Sequence, residues 1–192
     1  MCFRLVILLC GLTFILARRI FHKKGHHRSA GHYYLRAATY RRAALHRHPD
    51  PYHPDVPIQA QLAVSAFEKF ITEFEYPCKP VKIPYEDTTL PGYLCIGPNI
   101  NGPAPTIIFQ ESKDGWAEDG KFIVDEAVPR GYNVLLFDGP GMGKVMRLQG
   151  LPFRHDWENV SSMQIVYLFV LYMKICTISA LANIRLFDQR SV

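Results

Sequence analysis

The chain has 192 residues, 48% of them hydrophobic, and a net charge of +5. That length suits one domain or part of a larger one, and the hydrophobic content excludes a disordered chain. The charge is unevenly spread: residues 1–48 contain ten Lys or Arg and no acid, whereas all seventeen acids lie from Asp50 onward. The front is therefore strongly basic, and the body is mildly acidic.

Residues 1–17 form an apolar leader with Arg4 near its start. The run is short for a membrane helix, which needs about 20 residues, but it suits a signal peptide or a signal anchor. Cleaved signal, retained anchor and an artefactual start are the three alternatives. If the leader stays in a membrane, the cations that follow it favour a cytosolic body.

Residues 18–76 are predicted to be a basic, cap-like helical segment. On helical spacing one side of the first helix carries Tyr33, Ala37, Tyr40 and Ala44. A proline-rich stretch, 49–57, ends that helix. The second helix is predicted from Ile58 to Phe74, with an apolar face of Leu62, Ala66, Phe70 and Phe74.

Seven of the eight histidines lie between His22 and His53. Imidazoles are common zinc ligands, but the neighbouring cations argue against a metal, and we predict none. Basic residues interleaved with tyrosines could instead bind nucleic acid. The favoured interpretation is a solvated basic helix face, which includes Arg36, Arg41 and Arg47 and makes a nucleic-acid partner the weaker alternative.

Residues 77–158 are predicted to be half of an α/β core. Val81, Ile83 and Tyr85 alternate with polar residues, and a partner strand from Leu90 to Ile96 completes an antiparallel hairpin. A short buried strand, Thr106 to Phe109, a loop and a helix from Ala117 to Pro129 follow. The next buried strand, Val134 to Phe137, should run parallel to the Thr106 strand through a right-handed crossover.

A glycine-rich turn follows the last strand, beginning at Asp138. A P-loop would need Gly at position 138 and Ser or Thr at position 145, where the chain has Asp138 and Val145. A dinucleotide fingerprint would need a third Gly where Lys144 stands. Both nucleotide motifs fail, so we predict no nucleotide cofactor and interpret the glycines as a tight turn.

Several short motifs occur together and in a fixed order. They are Tyr33-Tyr34-Leu35-Arg36-Ala37, Leu90-Pro91-Gly92-Tyr93-Leu94, Asp138-Gly139-Pro140-Gly141, Gly150-Leu151-Pro152-Phe153-Arg154 and Asp156-Trp157-Glu158. With them, the segment from Gly25 to Glu158 resembles the α/β-hydrolase branch that includes 2,6-dihydroxypseudooxynicotine hydrolase. The resemblance implies a partial α/β-hydrolase sheet, a hairpin plus parallel strands, preceded by a helical segment.

The resemblance also implies a Ser nucleophile on a G-x-S-x-G elbow, with Asp and His later in the chain. That elbow is absent from the 192 residues: Ser112 and Ser179 lack the flanking glycines, and His155 has no matched Asp. No catalytic residue is assigned. By analogy, backbone near Ser112 and Lys113 would form the oxyanion hole, although the family's Gly-Gly pair is missing there.

Residues 159–192 form a divergent tail, apolar through 163–184 with Lys174 as its one charge. Read-through or truncation, a core helix and a membrane span are the three alternatives, the first being favoured.

The five cysteines show no metal or redox spacing, so we expect buried free thiols. They do not require an oxidising compartment, and a cytoplasmic location is favoured over a membrane-anchored or secreted one.

Two functions remain open. The first is a truncated, inactive piece of a serine α/β-hydrolase whose intact form acts on a small molecule with an ester or a carbonyl-adjacent carbon–carbon bond. The second is a non-catalytic basic protein that binds a partner or associates with a membrane through residues 1–17 or 163–184.

Overall fold

The computed structural model describes residues 14, 16, 20–97, 104–163 and 165–169. Most of the leader and of the tail lies outside these residues, and so do the predictions made for them. In the part that is described, no helix is long and apolar enough to cross a membrane.

The elements, in chain order, are α1 (His27–His46), α2 (Asp55–Phe74), β1 (Cys78–Tyr85), β2 (Thr88–Cys95), β3 (Thr106–Phe109), a 3₁₀ turn (Ala117–Gly120), α3 (Lys121–Ala127), a second 3₁₀ turn (Val128–Arg130), β4 (Asn133–Phe137) and a π-helical turn (Val145–Gln149). Residues 157–163 and 165–169 are also helical.

The four strands form one mixed sheet in the order β1-β2-β4-β3. β1 and β2 are the predicted antiparallel hairpin, and β2 also pairs antiparallel with β4. β3 and β4 run parallel, with Ile107 opposite Val134, so the predicted strand–helix–strand unit is confirmed. Its helix is shorter than predicted, because 3₁₀ turns flank the seven residues of α3 on both sides.

β3 differs from its prediction as a buried strand. Its residues alternate between exposed and half-buried, and Ile108 remains 40% exposed. The reason is its place at the margin of the sheet, where the described residues give it β4 as a neighbour on one side. β4, which pairs on both sides, buries Val134 to Phe137 almost completely.

The basic face of α1 is solvated only in part: Arg36 and Arg47 are exposed as predicted, but Arg41 is buried. Arg41 and Arg42 are each 4% exposed, and Tyr40 lies outward at 37%. Arg41 donates to the Gln59 side chain, and Arg42 pairs with Asp119 at 2.9 Å, which links α1 to α2 and to the first 3₁₀ turn. The sequence pattern hid this because both acceptors lie far along the chain.

α2 begins at Asp55, three residues before its predicted start, with Pro57 in the first turn, where a missing N–H costs nothing. Its predicted apolar face is confirmed at Ala66 and Phe70, which are buried, but not at Leu62, which is 42% exposed. The buried face also includes Ala63 and Phe67. One apolar cluster joins both helices to the sheet. The helical segment therefore shares its core with the sheet.

The expectation of free thiols is wrong for Cys78 and Cys95, which form a disulfide. The two residues face each other in the β1–β2 register, at the open end of the hairpin, and both are buried. Seventeen positions separate them, so only the hairpin register brings the sulfurs together. Since disulfides persist mainly in oxidising compartments, these cysteines no longer favour a cytoplasmic location.

Opening this disulfide should destabilise the protein. Closing a loop of this length removes chain entropy from the unfolded state worth about 3 kcal/mol, so the reduced protein should lose about that much free energy of unfolding. Urea unfolding with and without reductant measures the difference. The double variant C78A/C95A provides the control, since reductant should leave its midpoint unchanged. If reductant, added to the fully denatured wild-type protein, left its urea midpoint unchanged, the disulfide assignment would be contradicted.

Candidate active site

Two loops meet at the carboxyl ends of the parallel strands β3 and β4. One is residues 110–116, which we call the β3 loop, and the other is residues 138–144, the glycine turn. Two backbone hydrogen bonds join them: the Asp114 N–H donates to Gly141 O at 3.2 Å, and the Gly143 N–H donates to Gly115 O at 2.8 Å. In open α/β sheets this edge is where ligands bind.

The glycine turn is packed too closely for larger residues. A Cβ on Gly139 would lie 2.4 Å from the Trp157 ring, and one on Gly141 would lie 2.4 Å from Phe153. Gly141 also has φ +78°, a left-handed conformation that side chains disfavour. The glycines therefore let residues 153–157 lie against the turn, as expected of a tight turn.

The Lys144 side chain points into the protein interior and is buried. Its Nζ donates to Glu118 Oε1 at 2.9 Å and lies 3.5 Å from Asp138 Oδ2. Tyr93 Oη donates to the same Glu118 oxygen at 2.7 Å. Lys144, Glu118 and Asp138 are all buried, and together with Tyr93 they form a group that we call the buried charge cluster.

Asp138 also binds the backbone on both sides of the site. Its Oδ1 accepts from the Ala117 N–H at 2.6 Å, and its Oδ2 accepts from the Lys144 N–H at 3.1 Å. One carboxylate thus joins the end of β4, the start of the first 3₁₀ turn and the last residue of the glycine turn.

The charges in this cluster are unequally matched, since one cation faces two carboxylates. Burial raises the pKa of Asp138 to about 6, with Glu118 adding to the shift and Lys144 opposing it. Burial would likewise raise the pKa of Glu118, but the charges of Lys144 and Arg42 outweigh it and lower that pKa. Burial would lower the pKa of Lys144, yet the two carboxylates raise it, so the ammonium stays charged.

A cavity of about 290 Å³ opens beside the cluster, between α2, the hairpin and the π-helical turn. Lys144 and Tyr93 form part of its wall, and Glu68 of α2 faces them. Burial raises the pKa of Glu68, and Glu118 adds to this while Lys144 opposes it. The cavity combines an apolar wall with a few polar groups, which is the usual composition of a small-molecule site.

Asp114, in the β3 loop, has a left-handed backbone with φ 65° and receives two basic side chains. His46, the last residue of α1, places Nδ1 2.9 Å from Asp114 Oδ2, and Arg147 of the π-helical turn contacts Oδ1. Burial would raise the pKa of Asp114, but the hydrogen bond from His46 and the charge of Arg147 outweigh it and lower the pKa. Arg147 also lies over the Trp116 ring, 5.1 Å from its centroid.

Ser112 and Lys113, the predicted oxyanion residues, are exposed at the tip of the β3 loop. Ser112 O accepts from the Gly115 N–H at 2.9 Å, which closes the turn. Within the described ranges, no hydrogen bond occupies the backbone N–H of either residue. Two adjacent N–H groups therefore remain available at the edge where the parallel strands end.

The structure separates the predicted polar residues. Ser112 lies in the β3 loop, His155 is exposed in the segment after the glycine turn, and Ser179 lies outside the described residues. The His46–Asp114 pair was missed, because the two residues are 68 positions apart and His46 looked like part of a solvated helix face. A carboxylate that orients an imidazole is an arrangement used in general base catalysis, but here Arg147 shares the carboxylate.

No profile of a known protein family matches the chain. Among characterised proteins, 20-hydroxy-prefusarin hydrolase FUS2 of Gibberella moniliformis is 36% identical over 135 residues, which are 67% of this chain and 32% of that protein. Alpha/beta hydrolase gkaG of Penicillium citrinum is 31% identical over 139 residues, 70% of this chain and 32% of that protein. The chain thus spans about a third of the length of these relatives.

Among solved structures, the crystal structure of 2,6-dihydroxy-pseudo-oxynicotine hydrolase superposes with a TM-score of 0.67 at 19% identity. The match covers 85% of this chain and 45% of that one. At this identity the likeness concerns the fold, and it agrees with the sheet order and the helical segment described above.

Replacing Lys144 by Met should destabilise the fold, because Glu118 and Asp138 would stay buried without their cation. The expected loss is about 3–5 kcal/mol of unfolding free energy near neutral pH. Without Lys144 the folded-state pKa values of both carboxyls rise, and that of Asp138 is already above its unfolded value. The loss should therefore shrink as the pH falls from about 7 to about 5. Urea unfolding across that range measures it.

Lys82→Met is the matched control, since Lys82 lines the same cavity but is exposed. Its unfolding free energy should stay within about 0.5 kcal/mol of the parent protein. A Lys144→Met variant as stable as the parent, or a deficit that grows toward acid, would rule out the buried charge cluster.

Proposed function

Because the chain belongs to the α/β-hydrolase superfamily, we propose that it is part of a serine hydrolase that cleaves an ester or a carbonyl-adjacent carbon–carbon bond in a small organic molecule. Its relatives of known function are named as hydrolases, and one is named for 20-hydroxy-prefusarin. Since the chain spans about a third of their length, the activity is assigned to the whole protein.

The pair of available N–H groups at Ser112 and Lys113 carries this proposal. Acyl transfer develops negative charge on a carbonyl oxygen, and preorganised backbone N–H groups stabilise that charge. The next two N–H groups of the β3 loop are already used, by Gly141 O and Ser112 O. We therefore assign the oxyanion hole to backbone at 112 and 113, with no role for either side chain.

The contacts around Asp114 support a fixed β3 loop. His46 holds the loop from α1, Arg147 holds it from the π-helical turn, and the Asp114 N–H is bound to the glycine turn. A preorganised donor gains its catalytic effect by not having to reorganise during the reaction. We assign His46 and Arg147 as positioning residues for the oxyanion N–H groups.

We also infer that the 192 residues alone do not catalyse the reaction. A serine hydroxyl is a weak nucleophile unless a base activates it, and the sequence contains no G-x-S-x-G elbow to present one. The alternative of a basic binding protein gains no support from the structure. Two of the ten front cations, Arg41 and Arg42, are buried and paired within the fold.

A fluorophosphonate probe, which labels activated serines, should leave this chain unlabelled. An intact relative such as 20-hydroxy-prefusarin hydrolase serves as the positive control in the same reaction, read by mass spectrometry. Covalent labelling of any serine in the folded 192-residue chain, lost on heat denaturation, would show that it has an activated nucleophile and would refute the inference.

A chimera can test the oxyanion assignment directly. In it, residues 77–158 of this chain replace the matching segment of that relative. Lys113→Pro removes one N–H group and should lower kcat by about 10²–10³-fold. Lys113→Ala keeps the N–H and should stay near the parent rate, while circular dichroism checks that both variants fold. Equal rates for the two variants would show that this N–H does not stabilise the oxyanion.

A further inference from the structure

Three potential metal ligands meet where the segment before α1 lies beside the end of α2. His22 belongs to the helical turn before α1, His27 is the first residue of α1, and Glu73 is in the last turn of α2. The two Nδ1 atoms lie 3.2 Å and 3.0 Å from the Glu73 carboxylate. One ligand atom from each residue lies within 4.8 Å of the other two.

These separations fit a small transition-metal ion. Zinc binds imidazole nitrogen and carboxylate oxygen at about 2.0–2.2 Å, so two ligands at a tetrahedral ion lie about 3.4 Å apart. The two nitrogen–oxygen distances, 3.2 Å and 3.0 Å, are within a few tenths of an ångström of that value.

The backbone that carries the two histidines is already turned into place. Gly25 has φ +76°, a conformation that glycine adopts readily, and it separates His22 from His27. The Gly25 N–H donates to His22 O at 3.0 Å, and the His26 N–H donates to Phe21 O at 3.0 Å. The turn therefore brings both imidazoles to one side without help from a metal.

Glu73 supplies the negative charge that the basic front of the chain lacks. Its side chain is 16% exposed. Its carboxylate is the hydrogen-bond partner of both imidazoles, 3.2 Å from His22 Nδ1 and 3.0 Å from His27 Nδ1. Among the nearby cations, Lys23 and Lys24 are exposed, and Arg28 lies over the Phe74 ring, 4.6 Å from its centroid.

We propose that His22, His27 and Glu73 form a binding site for one divalent transition-metal ion of the zinc type. Each imidazole binds through Nδ1 and carries its proton on Nε2, the carboxylate provides the third ligand, and water completes the tetrahedron. The site clamps the segment before α1 to the last turn of α2. It lies at the other end of α1 from His46, about 28 Å along the helix axis, so it is distinct from the candidate active site.

The sequence contains no Cys-x-x-Cys or H-x-x-x-H pair with a matched second half near these histidines, and the neighbouring cations would repel a metal. Neither observation takes account of an acid from another helix. Glu73 lies 46 positions after His27, and it comes close only because α1 and α2 pack antiparallel over their full length. Spacing within the histidine-rich segment could not reveal a ligand from the second helix.

Titration of the full chain with ZnCl₂, followed by calorimetry, tests the site. The expected result is saturable binding of one Zn²⁺ per chain, weakened at least about tenfold in His27→Ala and in Glu73→Gln. Glu73→Gln keeps a hydrogen-bonding side chain of the same size and removes only the charge. Circular dichroism of the metal-free variants should match that of the parent chain.

His26→Ala is the matched control, since His26 lies in the same turn but outside the ligand group, and its affinity should be unchanged. Replacing Zn²⁺ by Co²⁺ should give visible bands of a tetrahedral nitrogen–oxygen site without thiolate charge-transfer absorption. Absence of saturable binding, equal weakening by His26→Ala, or a thiolate band would overturn the proposal.

Discussion

The rest of the site depends on the ion pairs between the Lys144 ammonium group and the buried carboxylates of Glu118 and Asp138. Glu118 comes from the turn before α3, and Asp138 comes from the end of β4. Asp138 also accepts from the N–H groups of Ala117 and Lys144. Losing one member would leave uncompensated charge in a medium that solvates it poorly, so the cluster forces these segments into one arrangement.

That arrangement determines where the two loops at the sheet edge can lie. The glycine turn begins at Asp138 and ends at Lys144, so the cluster fixes both of its ends. The β3 loop is joined to the turn by two backbone hydrogen bonds, and α1 reaches it through His46. The loop that carries the N–H groups of Ser112 and Lys113 is thus held by contacts that continue into the core. Such fixed donors suit a role in stabilising charge.

The amino-acid sequence predicts the features that depend on neighbouring residues. Alternation in β1, the apolar run of β4 and the glycines after it are enough to predict the hairpin, the parallel pair and the tight turn. Pairs that are distant in the chain are beyond such patterns. The Cys78–Cys95 disulfide depends on the hairpin register, Arg42 depends on Asp119, and His46 depends on Asp114. From the sequence, Lys144 could only be compared with the residues of nucleotide-binding motifs, which it does not match. Its role in the buried charge cluster depends on partners that lie on other elements.

Native-state hydrogen exchange at four backbone amides tests the central claim most directly. The Ala117 and Lys144 amides donate to a buried carboxylate, whereas those of Ser112 and Lys113 have no acceptor among the described residues. Exchange should therefore be slow at the first two, comparable with the amides of β4, and fast at the other two. Equally fast exchange at all four would mean that the buried charge cluster does not hold the site together.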